Sequence, residues 1–404
     1  MIIGVPVEKE QDEYRVALVP PVAGNLIDEG HEVVVSSGAG EESDWSDSDY
    51  EEVGCEVIED RSDVFEKAEV ILHVNGLGNS DEPEHEEYTD GQVVVGLLGP
   101  YSIDDEVTEI LADKNVSAFA LELMPRISRA QSMDALSSMA SIGGYKATVM
   151  AAEELPQMFP MEMTAAGTVQ PAEVFVIGAG VAGLKAIATA ERLGASTRGH
   201  DVRLEVKQEV ESLGADFVEL ELPTEESGDE EGYAVEMGEE FYAEQRRQME
   251  RVVPESDVLI TTAAIPGRPA PEIVTTEMIE NMDEGSVVID LAAETGGNCE
   301  PTVAGETVEH EGVTVFGPTN LPSRVSHTAS QLYSNNMKSF LDNLTEDGEL
   351  NIDLEDEIID STLLTHDREV RNPHIDDGGD GDDGGDGDDK EEGDEAEKEE
   401  DNDE

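Results

Sequence analysis

Short apolar runs alternate with longer mixed stretches along the first hundred residues. IIGVPV (2–7), EVVVS (32–36), EVILHV (69–74) and VVVGLL (93–98) read as short buried strands. The stretches near 21–30 and 103–113 read as helices between them. Strand–helix alternation of this kind predicts a parallel α/β sheet. Residues 128–153 then read as one helix, with Pro156 and Pro160 just beyond its end.

A second alternation follows. VFVIGAG (174–180), ASTRGHD (195–201), DFVEL (216–220), VLITTAA (258–264), SVVIDLA (286–292) and VTVFG (313–317) supply its strands. Residues 325–345 read as a helix returning across the molecule. The pattern predicts two doubly wound, Rossmann-like parallel-sheet domains flanking a cleft. The first would take 1–138 and 322–375, and the second 139–321. The tail 376–404 is Gly, Asp and Glu with almost nothing to bury, so it is expected to be disordered. The polar stretch 221–240 interrupts the second unit. It reads as a long functional or disordered loop with Gly232 and Tyr233 at its centre.

One motif changes the picture from fold to chemistry. In VFVIGAGVAGLKAIATAERLGA (174–195), Gly178, Gly180 and Gly183 fit G-x-G-x-x-G directly after a strand and at the start of a helix. Gly178 permits the tight turn, Gly180 lets backbone approach a pyrophosphate, and Gly183 lets helix and strand pack closely. The helix N-terminus would face the phosphates with unpaired N–H groups. Asp201 closes the next strand, where a carboxylate accepts bonds from ribose hydroxyls and repels a 2′-phosphate. This favours NAD over NADP. A glycine turn with an ordinary surface acid is the plainer reading.

Charge sets the surroundings of that site. The 404 residues carry a formal net charge of −74. Residues 376–404 hold 18 carboxylates and 2 lysines, so most of the excess lies in residues 1–375. Such self-repulsion is screened in about 1 M salt, where the Debye length is ~3 Å. The carboxylate coat reads as adaptation to a salt-rich, halophilic cytoplasm, with an unusually acidic mesophile protein as the alternative. Either way it argues against nucleic acid as a partner. Two cysteines, Cys55 and Cys299, make no disulfide framework and fit a reducing compartment. No apolar run reaches the length of a membrane span, and the N-terminus lacks a signal-peptide layout. Eight histidines show no metal spacing, so no metal is expected. Cys299 reads as packing rather than a nucleophile, Trp45 as packing, and Met133, Leu136 and Met139 as a core stripe.

PRISRAQSMDALSS (125–138) is far more specific than the glycine motif. It resembles the signature of the NAD(H)-binding alpha subunit of proton-translocating nicotinamide nucleotide transhydrogenases, in the alanine dehydrogenase/transhydrogenase family. Further matching stretches follow in order: EYRVALVP (13–20), the glycine motif, DVRLEVKQEVESLGA (201–215), EGYAVEMGEEF (231–241), TTAAIPGRPAP (261–271), GSVVIDLAAETGGNCE (285–300) and LPSRVSHTASQLYSNN (321–336). The resemblance covers about residues 1–345. It implies an enzyme component that binds NAD(H) and exchanges hydride with NADP(H) on a partner subunit, coupled to proton translocation. By it, Arg126, Gln131, Asp134 and Ser137 hold and orient the nicotinamide, and Tyr233 closes over the cofactor from a mobile loop. Ile127, Ser128 and Arg129 belong to the same cofactor loop. Val181 and Ala182 line the glycine turn, Asp201, Val202 and Arg203 flank the adenine ribose, and Gly232, Gln245 and Ala264 match further contact positions. The resemblance also implies a homodimer, with membrane-spanning and NADP-binding subunits as partners. It places the chain in the cytoplasm, peripheral on the inner face of the membrane.

The residues agree with that expectation. Arg126 and Arg129 can offset the acidic field around an anionic dinucleotide, unless they are only surface salt bridges. Gln131 and Ser137 can grip a carboxamide or hydroxyls without proton transfer, and hydride exchange between two nicotinamides needs alignment more than a general base. Alanine dehydrogenase shares the opening Glu13-Tyr14-Arg15. Its family uses a lysine and a histidine where this chain has His73 and no histidine in GLLGPYS (96–102), and it lacks the RISRAQ loop. Transhydrogenases also usually have lysine where His73 stands. A non-enzymatic NAD-binding regulatory module is the other alternative, but it has no use for that loop.

Overall fold

A computed structural model describes residues 1–79, 85–222 and 238–372. Gly232, Tyr233 and the tail 376–404 lie outside the described residues. The first sheet is built from β1 (Ile2–Val5), β2 (Glu32–Ser36), β3 (Glu56–Ile58), β4 (Val70–Asn75), β5 (Val93–Leu97) and β6 (Ser117–Ala120). These six run parallel in the order β3-β2-β1-β4-β5-β6. The hairpin β7 (Glu162–Thr164) and β8 (Gly167–Val169) pairs only with itself. The second sheet takes β9 (Glu173–Ile177), β10 (Ser196–His200), β11 (Asp216–Phe217), β12 (Val258–Thr261), β13 (Val287–Asp290), β14 (Thr307–His310) and β15 (Val313–Phe316). Its order is β11-β10-β9-β12-β13-β15-β14, parallel except for β14. The small pair β16 (Thr345–Glu346) and β17 (Glu349–Leu350) precedes β18 (Leu363–His366) and β19 (Glu369–Val370). These last two extend the first sheet, β18 lying antiparallel to β6.

Both sheets reverse their winding at one place, between β1 and β4 in the first and between β9 and β12 in the second. In open α/β sheets a ligand binds outside the carboxyl ends of the strands at such a point. The central strands are continuous apolar runs because helices cover both faces. The described helices are α1 (Pro20–Asp28), α2 (Asp47–Val53), α3 (Arg61–Lys67), α4 (Asp105–Asp113), α5 (Ala135–Glu154), α6 (Val181–Leu193), α7 (Lys207–Ser212), α8 (Glu239–Met249), α9 (Thr276–Glu280), α10 (Ser326–Leu344) and α11 (Glu357–Thr362).

Two helices tie the halves together. Ala135, Met139 and Ile142 of α5 pack in the first sheet's core, and Ala147, Ala151 and the capping Leu155 in the second's. Helix α10 returns to the first core through Ala329, Tyr333, Met337, Phe340 and Leu344. Its serines serve the irregular segment after β1: Val16 N–H donates to Ser330 Oγ at 3.0 Å, and Val19 N–H to Ser334 Oγ at 2.9 Å. The Tyr333 hydroxyl donates to His73 O at 2.8 Å. Among the described residues, no helix is long and apolar enough to cross a membrane.

The expected helix over 128–153 is shorter at its start than its sequence suggests. α5 starts at Ala135, and residues 128–133 form turns. The reason is chemical. Asp134 takes an N-cap position, its Oδ1 accepting Ser137 N–H at 2.8 Å and its Oδ2 accepting the Ser137 hydroxyl.

Candidate cofactor site

The glycine turn sits at the reversal point of the second sheet. Gly178 follows β9 with φ +91°, and a Cβ there would lie 2.6 Å from Thr262 Oγ1. A Cβ on Gly183 would lie 1.8 Å from Gly178 O, so helix α6 can reach the turn only without a side chain at that position. At Gly180 a Cβ would meet nothing within 4 Å. The helix of 13 residues that begins at Val181 has no side-chain cap. Its first N–H groups therefore face an open approach with the positive end of the helix dipole behind them. A pyrophosphate suits that cradle.

Asp201, directly after β10, completes it. The carboxylate is 6% exposed. Oδ2 accepts Ala179 N–H of the turn at 2.7 Å and Arg203 Nη2 at 2.9 Å, while Oδ1 accepts Arg203 N and Nε, each at 2.9 Å. Burial pushes the carboxyl up, but the Arg203 bonds and charge outweigh it and hold the group below its ordinary value. Asp201 thus braces the turn and aims Arg203; Val202 is half-buried between them. Behind β10, His200 Nδ1 meets Val218 O at 2.8 Å, and its Nε2 meets Gln245 Nε2 at 3.3 Å. Gln245 is buried rather than open, and its Oε1 has no hydrogen-bond partner among the described residues.

The 125–137 loop is pinned to the first half at several points and carries polar side chains at its surface. Ala130 and Met133 are buried in the first core. Asn336 Nδ2 of α10 donates to Ser132 O at 2.9 Å. The Arg129 guanidinium donates to Asp356 at 2.6 and 2.8 Å and to Asn343 at 3.2 Å, so the structure engages it with the first half and not with the glycine turn. Ile127 packs half-buried on the core, whereas Arg126, Ser128 and Gln131 lie at the surface. Asp134 and Ser137 cap α5 and bond each other. Further along the same helix, a Cβ on Gly144 would lie 2.0 Å from Ala182 O. At ~1.5 Å per residue, the ten residues from Asp134 to Gly144 span about 15 Å, which an extended dinucleotide can bridge.

Two further groups were not visible as site elements. Asn298 binds the loop after β12, which carries the exposed Ala264. Tyr101 of the first half lies against Gly267 of that loop, where a Cβ would come 2.6 Å from the ring. The sequence offered only GGNCE and a tyrosine after Gly99-Pro100, neither with a period or spacing to betray its role.

The groups expected for an amino-acid site are otherwise engaged. Arg15 is 4% exposed and donates to Glu13 through N, Nε and Nη2 at 2.9, 2.7 and 2.5 Å, and to Asn320 Oδ1 at 3.1 Å. His73 is buried in β4 with Nδ1 3.7 Å from Glu8 Oε1. Cys299 is buried, and burial raises its thiol well above the ordinary value; Cys55 is pushed up to about 11 for the same reason. Trp45 stacks on His327 at 4.7 Å.

Comparison with known proteins agrees with this geometry. The family model described as alanine dehydrogenase/PNT, N-terminal domain matches residues 4–143, and alanine dehydrogenase/PNT, C-terminal domain matches 147–373. NAD(P) transhydrogenase subunit alpha of Cereibacter sphaeroides is 42% identical over 92% of this chain and 71% of its own. The crystal structure of transhydrogenase from Sinorhizobium meliloti superposes with a TM-score of 0.81 at 41% identity, covering 92% of this chain and all of that one. Alanine dehydrogenase of Mycolicibacterium smegmatis is 28% identical over 92% of this chain and 94% of its own.

Proposed function

The chain belongs to the alanine dehydrogenase/PNT family, and we propose the role its residues support within it. It is the NAD(H)-binding alpha subunit of an NAD(P) transhydrogenase, and it exchanges hydride between NAD(H) and NADP(H) held by a partner subunit. The observation that carries this reading is the loop 125–133. It presents Arg126 and Gln131, while the nearby carboxylate, Asp134, is consumed in the cap on Ser137. A loop with an arginine and an amide at its surface, whose carboxylate is consumed in a helix cap, suits a reaction in which a hydride moves and no proton does.

The glycine turn and the α6 N-terminus hold the pyrophosphate, and Asp201 and Arg203 flank the adenosine ribose; in this structure the Asp201 oxygens expected to accept from the ribose hydroxyls are occupied by Ala179 N–H and Arg203. Arg126 and Gln131 orient the nicotinamide end, which supplies the hydride when bound. Val181 and Ala182 line the turn, and Ala264 and Gln245 contact the cofactor from the far side. Ile127 and Ser128 support the loop. Tyr233 and Gly232 would close over it. Arg129 anchors the loop through Asp356.

Alanine dehydrogenase is the second reading. It needs a cation free for the amino-acid carboxylate, but Glu13 already neutralises Arg15. Hydride transfer is coupled to proton movement through membrane-spanning and NADP-binding subunits, which hold this chain at the inner face of the membrane. The chain pairs with a second copy. The hairpin β7–β8 supports that, since a two-stranded hairpin alone is marginal in water, and Met161, Met163 (72%) and Val169 are exposed on and beside it.

The test uses the chain in concentrated KCl with its NADP-binding and membrane partners. NADH should reduce NADP⁺, and L-alanine with NAD⁺ should yield no NADH; alanine-dependent NADH formation overturns the reading. In the same assay Gln131→Asn should slow transfer at least about tenfold more than it weakens NADH binding, because its role is alignment. Equal losses would make it a binding contact only.

A further inference from the structure

Asn298 clasps one loop at both ends. The side chain is fully buried, at 0% exposure. Its Oδ1 accepts Ala263 N–H at 2.9 Å, and its Nδ2 donates to Ala263 O at 2.8 Å and to Pro271 O at 2.9 Å. Its backbone carbonyl accepts Ile273 N–H at 2.9 Å and Val274 N–H at 3.0 Å. The clasp is itself held. Asp290, fully buried at the end of β13, accepts Asn298 N–H at 2.8 Å, Cys299 N–H at 3.0 Å and the Thr302 hydroxyl at 2.7 Å on Oδ2. On Oδ1 it accepts the Thr261 hydroxyl at 2.9 Å and Ala292 N–H at 3.1 Å.

The clasped loop occupies a particular place. It leaves β12 at the reversal point of the second sheet, directly beside the glycine turn, where the Thr262 hydroxyl donates to Gly178 O at 3.0 Å. Ala264 is exposed there, and three residues on Gly267 meets Tyr101 from the first half. The loop between Ala263 and Pro271 has no strand or helix of its own, so it relies on these side-chain bonds for its shape.

We propose that Asn298 is a positioning residue for the dinucleotide. It fixes the loop 262–271 so that the backbone at Ala264 faces the cofactor opposite the glycine turn, and Asp290 fixes Asn298. The proposal rests on the reading of that turn as the NAD(H) site. Asparagine suits the task because one amide offers an acceptor and two donors, which match one N–H and two carbonyls. Aspartate keeps the acceptor but sets a carboxylate against two carbonyl oxygens. Alanine removes all three bonds.

The experiment compares the full chain with Asn298→Ala and Asn298→Asp, reading amide hydrogen exchange of 263–271 and the NADH dissociation constant by nucleotide fluorescence. In both variants exchange in the loop should quicken at least about tenfold while β9 and β13 stay protected, and NADH should bind about tenfold more weakly, the equivalent of one lost hydrogen bond. In the reconstituted reaction KM for NADH should rise and kcat at saturation should stay within about twofold, since the loop aligns binding and not the transferred hydride. A quickened loop with unchanged NADH affinity makes the clasp purely structural and overturns the proposal. An unchanged loop does so as well. If Asn298→Ala does not fold, Asn298→Asp, which keeps the Ala263 N–H bond, gives the same two readouts. Failure of the unaltered chain to bind NADH would instead overturn the cofactor reading, and with it the purpose of the clasp, while the exchange data would still report the clasp itself.

Discussion

Glu13 and Asp201 solve the same local problem in the two halves. Each is a buried carboxylate that grips the arginine two residues further on. In both, burial raises the carboxyl and the arginine's bonds and charge more than offset it, so each stands below its ordinary value. A carboxyl with a depressed folded value binds fewer protons folded than unfolded. Its contribution to stability is therefore complete above its ordinary range near ~4, and it is lost as pH falls through the folded value. Glu122 runs the other way: burial raises it despite bonds from Leu98 N–H, Gly99 N–H and Asn79, so acidification through its range favours the folded form. Glu13→Gln leaves the Arg15 charge buried without a counter-ion. It should cost roughly 3 kcal/mol or more in urea unfolding near neutral pH, and the cost should shrink below about pH 4 as Glu13 of the unaltered chain is protonated. A loss below about 1 kcal/mol would mean that Asn320 alone satisfies Arg15. Asp201→Asn removes the charge that holds Arg203 and weakens the bond to Ala179. Titration of nucleotide fluorescence should show at least about tenfold weaker NADH binding with little change in the fold.

Helix α5 joins the two cores, and its adjacent glycines should respond oppositely to one methyl group. At Gly144 a Cβ would lie 2.0 Å from Ala182 O and 2.8 Å from its carbonyl carbon, so alanine must drive α5 away from the start of α6 and disturb the glycine turn. At Gly143 a Cβ meets nothing within 4 Å. There alanine should add about 0.5–1 kcal/mol by helix propensity alone, whereas Gly144→Ala should cost at least ~2 kcal/mol and weaken NADH binding. Thermal unfolding of both variants with and without NADH checks the pair; two shifts of the same sign would contradict the packing. This helix also marks where sequence reading stops. Its body was legible from periodicity, and the glycine turn from three glycines placed between a strand and a helix. Its start was not, because Ser128 to Met133 have compatible propensities, and the Asp134 cap together with the tertiary pinning of Ser132 and Arg129 keeps them in turns. The strands β18 and β19 escaped notice for a similar reason. LLTH and EV are too short to signal strands, and β18 pairs with β6, a strand far back in the chain. Arg129 was placed in the cofactor loop by resemblance, with a salt bridge as the alternative, and only the position of Asp356 at the start of α11 reveals the bridge it makes.

At the scale of the whole molecule the dominant fact is charge. A formal −74 over 404 residues repels itself, and neither the sheets nor the cores remove that term. The described ion pairs are mostly exposed, such as Lys207–Glu219 and Arg247–Glu244, and pairs of that kind add little. Salt is therefore the physical lever: raising KCl from about 0.1 M to 1 M shortens the Debye length from ~10 to ~3 Å and screens repulsion between neighbouring carboxylates. The unfolding midpoint should rise steeply over that range, and NADH, itself an anion, should bind more tightly. The tail allows the source of the effect to be located. With 18 of the 97 carboxylates in 376–404, removing that segment takes away a minority of the negative charge. A chain ending at Ile375 should keep most of the salt dependence of its midpoint, together with NADH affinity close to that of the full chain. If deletion abolished the salt dependence, the repulsion would reside in the tail.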